Sequence, residues 1–384
     1  MNTPRNVIIV GTAYPFRGGG ISTFNERMAR AYQQQGDDVT IYTFSLQYPS
    51  FLFPGKSQYS SEPAPGDLRI EVAVNSVNPF NWFRVGRKLR KLKPDLVIIR
   101  YWIPFMAPSL GTIASVIRKN KHSKVVAITD NIIPHEKMPG GRLLSKYFVN
   151  RCDAFVAMSR SVLSDLEKLD NQKPKTYTPH PLYDNFGKAI SKDEAKRNLG
   201  LDSQTAYILF FGFIREYKGL DLLLKAFADE RLRKSDVKLL IAGEFYIDRQ
   251  PYLDLINTMG ISEKVILHDR FIPNTEIVNY FCAAEIVAQP YREATQSGIT
   301  QVAYHFNKPM ITTNVGGLSE TVPDGKVGYV VNPVSGEIAD ALVRFFTENK
   351  EREFSANAAV EKQRFSWENF LKVIDDLINQ LKKE

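Results

Sequence analysis

Residues 178–219, TPHPLYDNFGKAISKDEAKRNLGLDSQTAYILFFGFIREYKG, decide how the chain is organised. Pro179, Pro181 and Gly187 interrupt a regular pattern, and the polar stretch SKDEAKRNLGLDS prolongs the interruption. A new apolar run, Tyr207–Phe211, then stops at Gly212. On the N-terminal side the pattern begins with Asn6–Val10, which ends at Gly11. A helical period follows over Ile21–Gln35, closed by Gly36. Further short apolar runs lie at Val39–Phe44, Asp95–Ile99, Lys124–Thr129 and Asp153–Met158. On the C-terminal side the same rhythm returns in Val237–Ala242, Lys264–Leu267, Glu285–Gln289, Met310–Thr313 and Gly328–Val331. Short strands alternating with helical segments form βαβ units, and hence parallel sheets covered by helices. The broken rhythm predicts two doubly wound α/β domains, over residues 1–183 and 184–365. The closing segment FSWENFLKVIDDLINQLKK predicts a helix, about 366–384, that packs back on the first domain.

A chain of 384 residues with 43% hydrophobic and 24% charged residues has the balance of a globular protein with a sizeable core. Its two cysteines, Cys152 and Cys282, stand far apart, which excludes a disulfide framework and a cysteine zinc site. The opening MNTPRNVIIVGTAYPF has too short an apolar run for a signal peptide. The longest uncharged stretches, Val39–Gly55 and Tyr101–Ile117, each carry two prolines and cannot span a bilayer. A cytoplasmic protein is expected. Residues 1–183 hold 25 Lys and Arg against 13 Asp and Glu, whereas residues 184–384 hold 25 against 29. Opposite signs suggest domains with different partners. The cations are densest in RVGRKLRKLK, residues 84–93, where Val85, Leu89 and Leu92 form one helical stripe. This segment is either a solvated helix covering the sheet or a helix lying against an anionic membrane surface. No recognisable nucleic-acid module accompanies the charge, and no nucleic-acid partner is expected.

In parallel α/β sheets, ligands bind beyond the carboxyl ends of the strands. Three post-strand segments carry chemistry. In TAYPFRGGGIS, Gly18, Gly19 and Gly20 precede a helix and offer backbone N–H groups; they either bind a ligand or make a tight turn. The consecutive glycines are not the GxGxxG of nicotinamide cofactors, and no such cofactor is expected. In FFGFIREYKG, Arg215 and Lys218 follow Gly212 beside a helix start. Two cations so placed suit a diphosphate, the alternative being an ordinary surface turn. In QPYREATQSGITQ, Glu293 follows a strand, and Ser297, Gly298 and Gln301 open a helix. A carboxylate and an amide there can bond sugar hydroxyls, or the carboxylate can cap the helix.

Together these segments resemble the retaining glycosyltransferases of family 4, which have the GT-B fold of two Rossmann-like domains. The likeness spans nearly the whole chain, through PFRGGGIS, IREYKG, the loop before QSGITQVAY, PMITTNVGGLSE and FSWENF. It implies that Arg215 and Lys218 hold the pyrophosphate of a nucleotide-sugar donor and that Glu293 meets the donor sugar. Backbone groups near Gly19 and Gly20 would face the reaction centre. The second glutamate of the family's E-x7-E motif is Gln301 here, and Phe213 replaces an arginine often found after the glycine. In DNIIPHE, Asp130 takes the place of a histidine that approaches the donor sugar, while His135 and Glu136 match. No acidic pair occupies a metal position, and no metal is expected. The resemblance implies transfer of a hexose-type sugar, with retention, to a glycan or lipid-linked acceptor in cell-envelope polysaccharide synthesis. A nucleotide-sugar-binding protein without turnover, or a GT-B nucleotide-sugar epimerase, are the alternatives that the three departures permit.

Overall fold

The computed structural model describes residues 4–49, 57–60, 62–133 and 139–381. The chain divides into two compact units: Met1–Pro181 together with Trp367–Glu384, and Leu182–Ser366.

In the first unit the strands are β1 (Asn6–Val10), β2 (Asp38–Leu46), β3 (Arg69–Asn75), β4 (Leu96–Tyr101), β5 (Lys124–Thr129), β6 (Ala154–Ala157) and β7 (Lys175–Tyr177). They form one parallel sheet in the order β3-β2-β1-β4-β5-β6-β7 among the described residues. Every residue of β4 and β6 is buried. That is why residues 96–99 and β6 read as continuous apolar runs instead of alternating ones. The sequence reading missed β3 and β7, which lie at the two edges of the sheet. Edge strands keep one flank open, so RIEVAVN is mostly half-buried or exposed and the three residues KTY none of them buried.

The helix Trp367–Leu381 belongs to this unit. It buries Trp367, Phe370, Leu371, Ile374, Leu377 and Ile378, one stripe at helical spacing. Trp367 and Phe370 meet the Phe24 ring at centroid distances of 5.0 and 5.5 Å. Asp375 pairs with Arg5 at 2.6 Å, tying the last helix to the chain just before β1.

In the second unit β8 (Ala206–Phe211), β9 (Val237–Ala242), β10 (Val265–His268), β11 (Ile286–Gln289), β12 (Met310–Thr313) and β13 (Gly328–Val331) form a second parallel sheet. Its order is β10-β9-β8-β11-β12-β13. Each unit therefore has a doubly wound sheet. The direction of winding reverses between β1 and β4 in the first and between β8 and β11 in the second. Loops leaving the two central strands part to opposite sides at such a reversal and leave a crevice at the carboxyl edge. Among the described residues no helix is long and apolar enough to cross a membrane.

Candidate functional site

The crevice of the second unit is built from the two segments that follow β8 and β11. Gly212 has φ +102, a conformation that residues with a Cβ rarely adopt. A Cβ there would also stand 3.0 Å from Lys218 Nζ, so the glycine makes room for the ammonium. Arg215 precedes a short 3-10 turn, Glu216–Lys218, and Gly219 at φ +64 starts the helix Leu220–Phe227. At Gly219 a Cβ would come within 2.0 Å of the Pro290 carbonyl oxygen. The two backbones touch here, and nothing larger than glycine fits.

A second contact locks the same two segments. Arg292 donates two 2.7 Å bonds to the Asp221 carboxylate, and its backbone N–H donates to the Tyr217 carbonyl at 2.7 Å. Burial raises the Asp221 carboxyl, but the Arg292 guanidinium outweighs it and holds the group below the usual carboxylate range. Glu293, the next residue, is exposed on this anchored loop. The turn after β12 supports the loop from below: Gly316 has φ +47 and would place a Cβ 1.7 Å from the Ala294 carbonyl oxygen.

Lys218 is the electrostatic centre of the crevice. It is only 8% exposed, and among the described residues no carboxylate pairs with it. Burial, reinforced by the like charge of Arg215, depresses its ammonium to about 7. The nearest aromatic support is the Tyr291 ring, 5.6 Å from Nζ, while the Arg215 guanidinium lies 5.1 Å from the Tyr246 ring centroid. Arg215 likewise has no carboxylate partner among the described residues. Two uncompensated cations thus flank a helix start, an arrangement that gains stability when an anion with several oxygens enters.

The helix Gly298–His305 borders the crevice, with Ser297 as its N-cap residue. A Cβ at Gly298 would stand 2.8 Å from the Tyr183 ring, so glycine permits this close approach. Gln301 is fully buried, and neither polar atom of its amide has a hydrogen-bond partner among the described residues. Beneath it, Gln289 accepts from Thr300 at 2.9 Å, while the Gln289 amide nitrogen is also unpartnered. Phe213 packs on Tyr246 and Phe271, at 4.5 and 6.2 Å, forming an aromatic patch where β8, β9 and β10 end. The sequence reading treated Phe213 only as a missing arginine. The aromatic residues following each of the three strands were the available signal.

In the first unit Gly19 is the N-cap residue of the helix Gly20–Gln34, and its N–H donates to Thr23 at 3.2 Å. A Cβ at Gly20 would meet nothing within 4 Å, so packing does not demand glycine there. Asp130 follows β5 and is committed to an ion pair that the sequence reading did not anticipate. Both carboxylate oxygens accept from Arg100, at 2.6 and 2.5 Å. Arg100 is 1% exposed and lies 3.8 Å from the Phe24 ring centroid. Its charge, after burial, helps depress His180 to about 3, so that imidazole is neutral. His135 and Glu136 lie outside the described residues. At the carboxyl edge of this sheet Trp102 donates to the Tyr48 hydroxyl at 2.6 Å, and Thr12 donates to Gln47 at 3.1 Å. Trp102 was not singled out from sequence, although its place directly after β4 at the reversal of winding marks it.

Comparison with known proteins agrees with this architecture. Residues 18–180 match the family described as Glycosyltransferase Family 4, and residues 205–348 match Glycosyl transferases group 1. A D-inositol 3-phosphate glycosyltransferase of Corynebacterium diphtheriae is 23% identical over 91% of this chain and 87% of its own. Its namesake from Thermobifida fusca is 26% identical over 91% and 86%. Among solved structures, sucrose-phosphate synthase from Thermosynechococcus elongatus superposes with a TM-score of 0.75 at 16% identity, covering 99% of this chain and 100% of that one. Anabaena HepE in complex with UDP-glucose gives 0.72 at 16% identity, covering 99% and 100%. With both halves matched and the two doubly wound sheets in place, the chain belongs to the GT-B glycosyltransferases of family 4.

Proposed function

We propose that the protein is a retaining, metal-independent glycosyltransferase that moves a hexose-type sugar from a nucleoside diphosphate to a glycan or lipid-linked acceptor. The cellular role that fits is cell-envelope polysaccharide synthesis on the cytoplasmic side of a membrane. The observation that carries the reading is the pair Arg215 and Lys218, neither with a counter-charge among the described residues, at the reversal between β8 and β11. In the transfer, the bond from the anomeric carbon to the diphosphate breaks, and its electron pair leaves with the phosphate oxygen. The acceptor hydroxyl oxygen forms the new bond to the anomeric carbon, and its proton passes to the departing diphosphate oxygen. Negative charge grows on the leaving diphosphate, so fixed cations stabilise the transition state more than the ground state. Arg215 and Lys218 supply that charge, which is the role a divalent cation would otherwise fill.

In this proposal Glu293 accepts from hydroxyls of the donor sugar. The N–H groups at Ser297 and Gly298 take the phosphates, beside Gly212, and Gln301 satisfies its orphaned amide on the ribose. Asp130 acts through Arg100, because both its oxygens are already committed. The basic segment 84–93 rests on an anionic membrane surface. Anabaena HepE, which shares the fold, binds UDP-glucose, and that makes UDP-glucose the first donor to try.

A thermal-shift series with UDP-, GDP-, ADP- and CDP-sugars, each with magnesium and with EDTA, tests the reading. One nucleotide should stabilise the protein equally in both conditions, and the combined Arg215→Ala and Lys218→Ala substitution should abolish the shift. Nuclear magnetic resonance of the product should then show the donor's anomeric configuration kept. Binding without turnover against any acceptor would favour a nucleotide-sugar-binding protein. Conversion of the donor without acceptor would favour an epimerase.

A further inference from the structure

The helix Pro79–Leu92 buries Asn81, Val85, Gly86 and Leu89, packs Trp82 half-buried against the core, and turns its remaining residues outward. On its first turns Phe80 is 88% exposed and Phe83 47%. Arg84, Arg87, Arg90, Lys91 and Lys93 are exposed beside and beyond them. Lys88 is paired with Glu71, but no carboxylate pairs with the other five cations among the described residues. The sequence has no Asp or Glu between Glu71 and Asp95. A helix that only faces water has no need of two bare phenyl rings, and a purely electrostatic contact would not use them. Rings next to unpaired cations match a surface whose outer layer is anionic and whose next layer is hydrocarbon.

Position strengthens the case. The helix follows β3 in a parallel sheet, so its N-terminal turn stands at the sheet's carboxyl edge. The helix Gly141–Val149 follows β5 and begins at the same edge, where Leu143 is 75% exposed and Arg142 and Lys146 are exposed too. Helix Ala107–Arg118 packs against both, which places all three in one layer.

We propose that this edge of the first unit sits in the headgroup layer of an anionic membrane, with Phe80 and Phe83 inserted among the lipids. Arg84 and Arg87 then meet lipid phosphates. The inference rests on the membrane part of the proposed function and deepens it: attachment is by insertion as well as by charge. It also turns toward the lipid the edge that carries Trp102 and Tyr48. A lipid-linked acceptor would reach that edge directly.

The test is co-sedimentation of the full chain with phosphatidylcholine vesicles containing a quarter phosphatidylglycerol, at about 0.05 M and about 0.5 M salt. At the higher concentration the screening length is about 4 Å, and attachment by charge alone disappears. Insertion should leave a salt-resistant fraction. Phe80→Ser with Phe83→Ser should lower partitioning about tenfold or more at either salt. That variant should keep the wild-type Tm and the UDP-glucose thermal shift, which belongs to the second unit. A Phe80→Trp protein should be quenched by brominated lipid acyl chains. Binding that vanishes at high salt and is unaffected by the double substitution would overturn the insertion and leave electrostatic attachment standing. No binding at low salt would overturn both. Equal binding to vesicles of phosphatidylcholine alone would overturn the anionic requirement.

Discussion

Replacing Lys218 by methionine should stabilise the empty protein while destroying its site. The lysine is buried with no counter-charge among the described residues, and its ammonium falls from the ordinary 10.5 to about 7. A drop of about 3.5 units corresponds to about 5 kcal/mol of destabilisation when the group is fully charged, and about 4 kcal/mol at neutral pH, where it is half charged. The sign follows from proton counting. Between pH 7 and 10.5 the unfolded chain keeps the proton and the native protein has released it, so stability rises with pH over that window. Below about 7 both forms hold the proton, and the full cost is present. Methionine has nearly the same length and no charge, so Lys218→Met removes the cost and the slope together. For a unit of nearly two hundred residues each kcal/mol moves Tm by roughly 2–4 °C, so removing about 4 kcal/mol should raise Tm by roughly 8–16 °C at pH 7. The same variant should lose the stabilisation of about 2.7 kcal/mol that a nucleotide-sugar gives at about 100 times its dissociation constant. Differential scanning fluorimetry at pH 6, 7, 8 and 9, with and without UDP-glucose, reads both effects. A lower Tm for the variant at pH 7, or an unchanged response to the nucleotide, would refute the idea of an uncompensated phosphate-binding cation.

Other perturbations separate anchoring from chemistry. In the wild type, diphosphate affinity should weaken above pH 7, by up to about tenfold per pH unit, because the bound anion needs the protonated lysine; titration calorimetry in buffers of different ionisation enthalpy should show proton uptake. Arg292→Ala breaks the partly exposed clamp to Asp221 and should cost only about 1 kcal/mol of stability, yet raise the donor KM, since the loop bearing Glu293 loses its anchor. Asp130→Asn leaves Arg100 buried with a neutral partner and should destabilise the first unit by about 3–5 kcal/mol in urea unfolding, whereas Arg100→Met with Asp130→Leu should cost less than either single change. Trp367→Ala opens a cavity beside Phe24 and should cost about 3–5 kcal/mol by the same measurement.

Local pattern carried most of the architecture. Buried parallel strands such as β4 and β11 are short and largely apolar on both faces up to their last residues, so they stand out between amphipathic helices. Edge strands escape that rule. Lys175–Tyr177 has no apolar run at all, and its strand character comes from pairing with β6. In the site, Arg215 and Lys218 were legible because they follow a strand and a glycine and precede a helix. The clamp between Arg292 and Asp221 was not legible, because it joins residues 71 positions apart. Nor could residue type alone show that the Asp130 carboxylate would be consumed by Arg100, thirty positions away on the neighbouring strand.

Two doubly wound domains, the break between them and the post-strand loops where a ligand belongs are all written in the local pattern of the chain. Helical and extended periods, glycine stops and proline breaks are local properties, and they need no partner to be read. What each charged group does is settled by tertiary contacts. Burial removes water from Lys218 and, among the described residues, leaves it without a counter-ion, whereas Asp130 receives one. At Gly219 the backbone of a distant loop occupies the space a side chain would need. Charge state and steric room depend on which atoms surround a group in space, and that neighbourhood exists only once the strands are laid side by side.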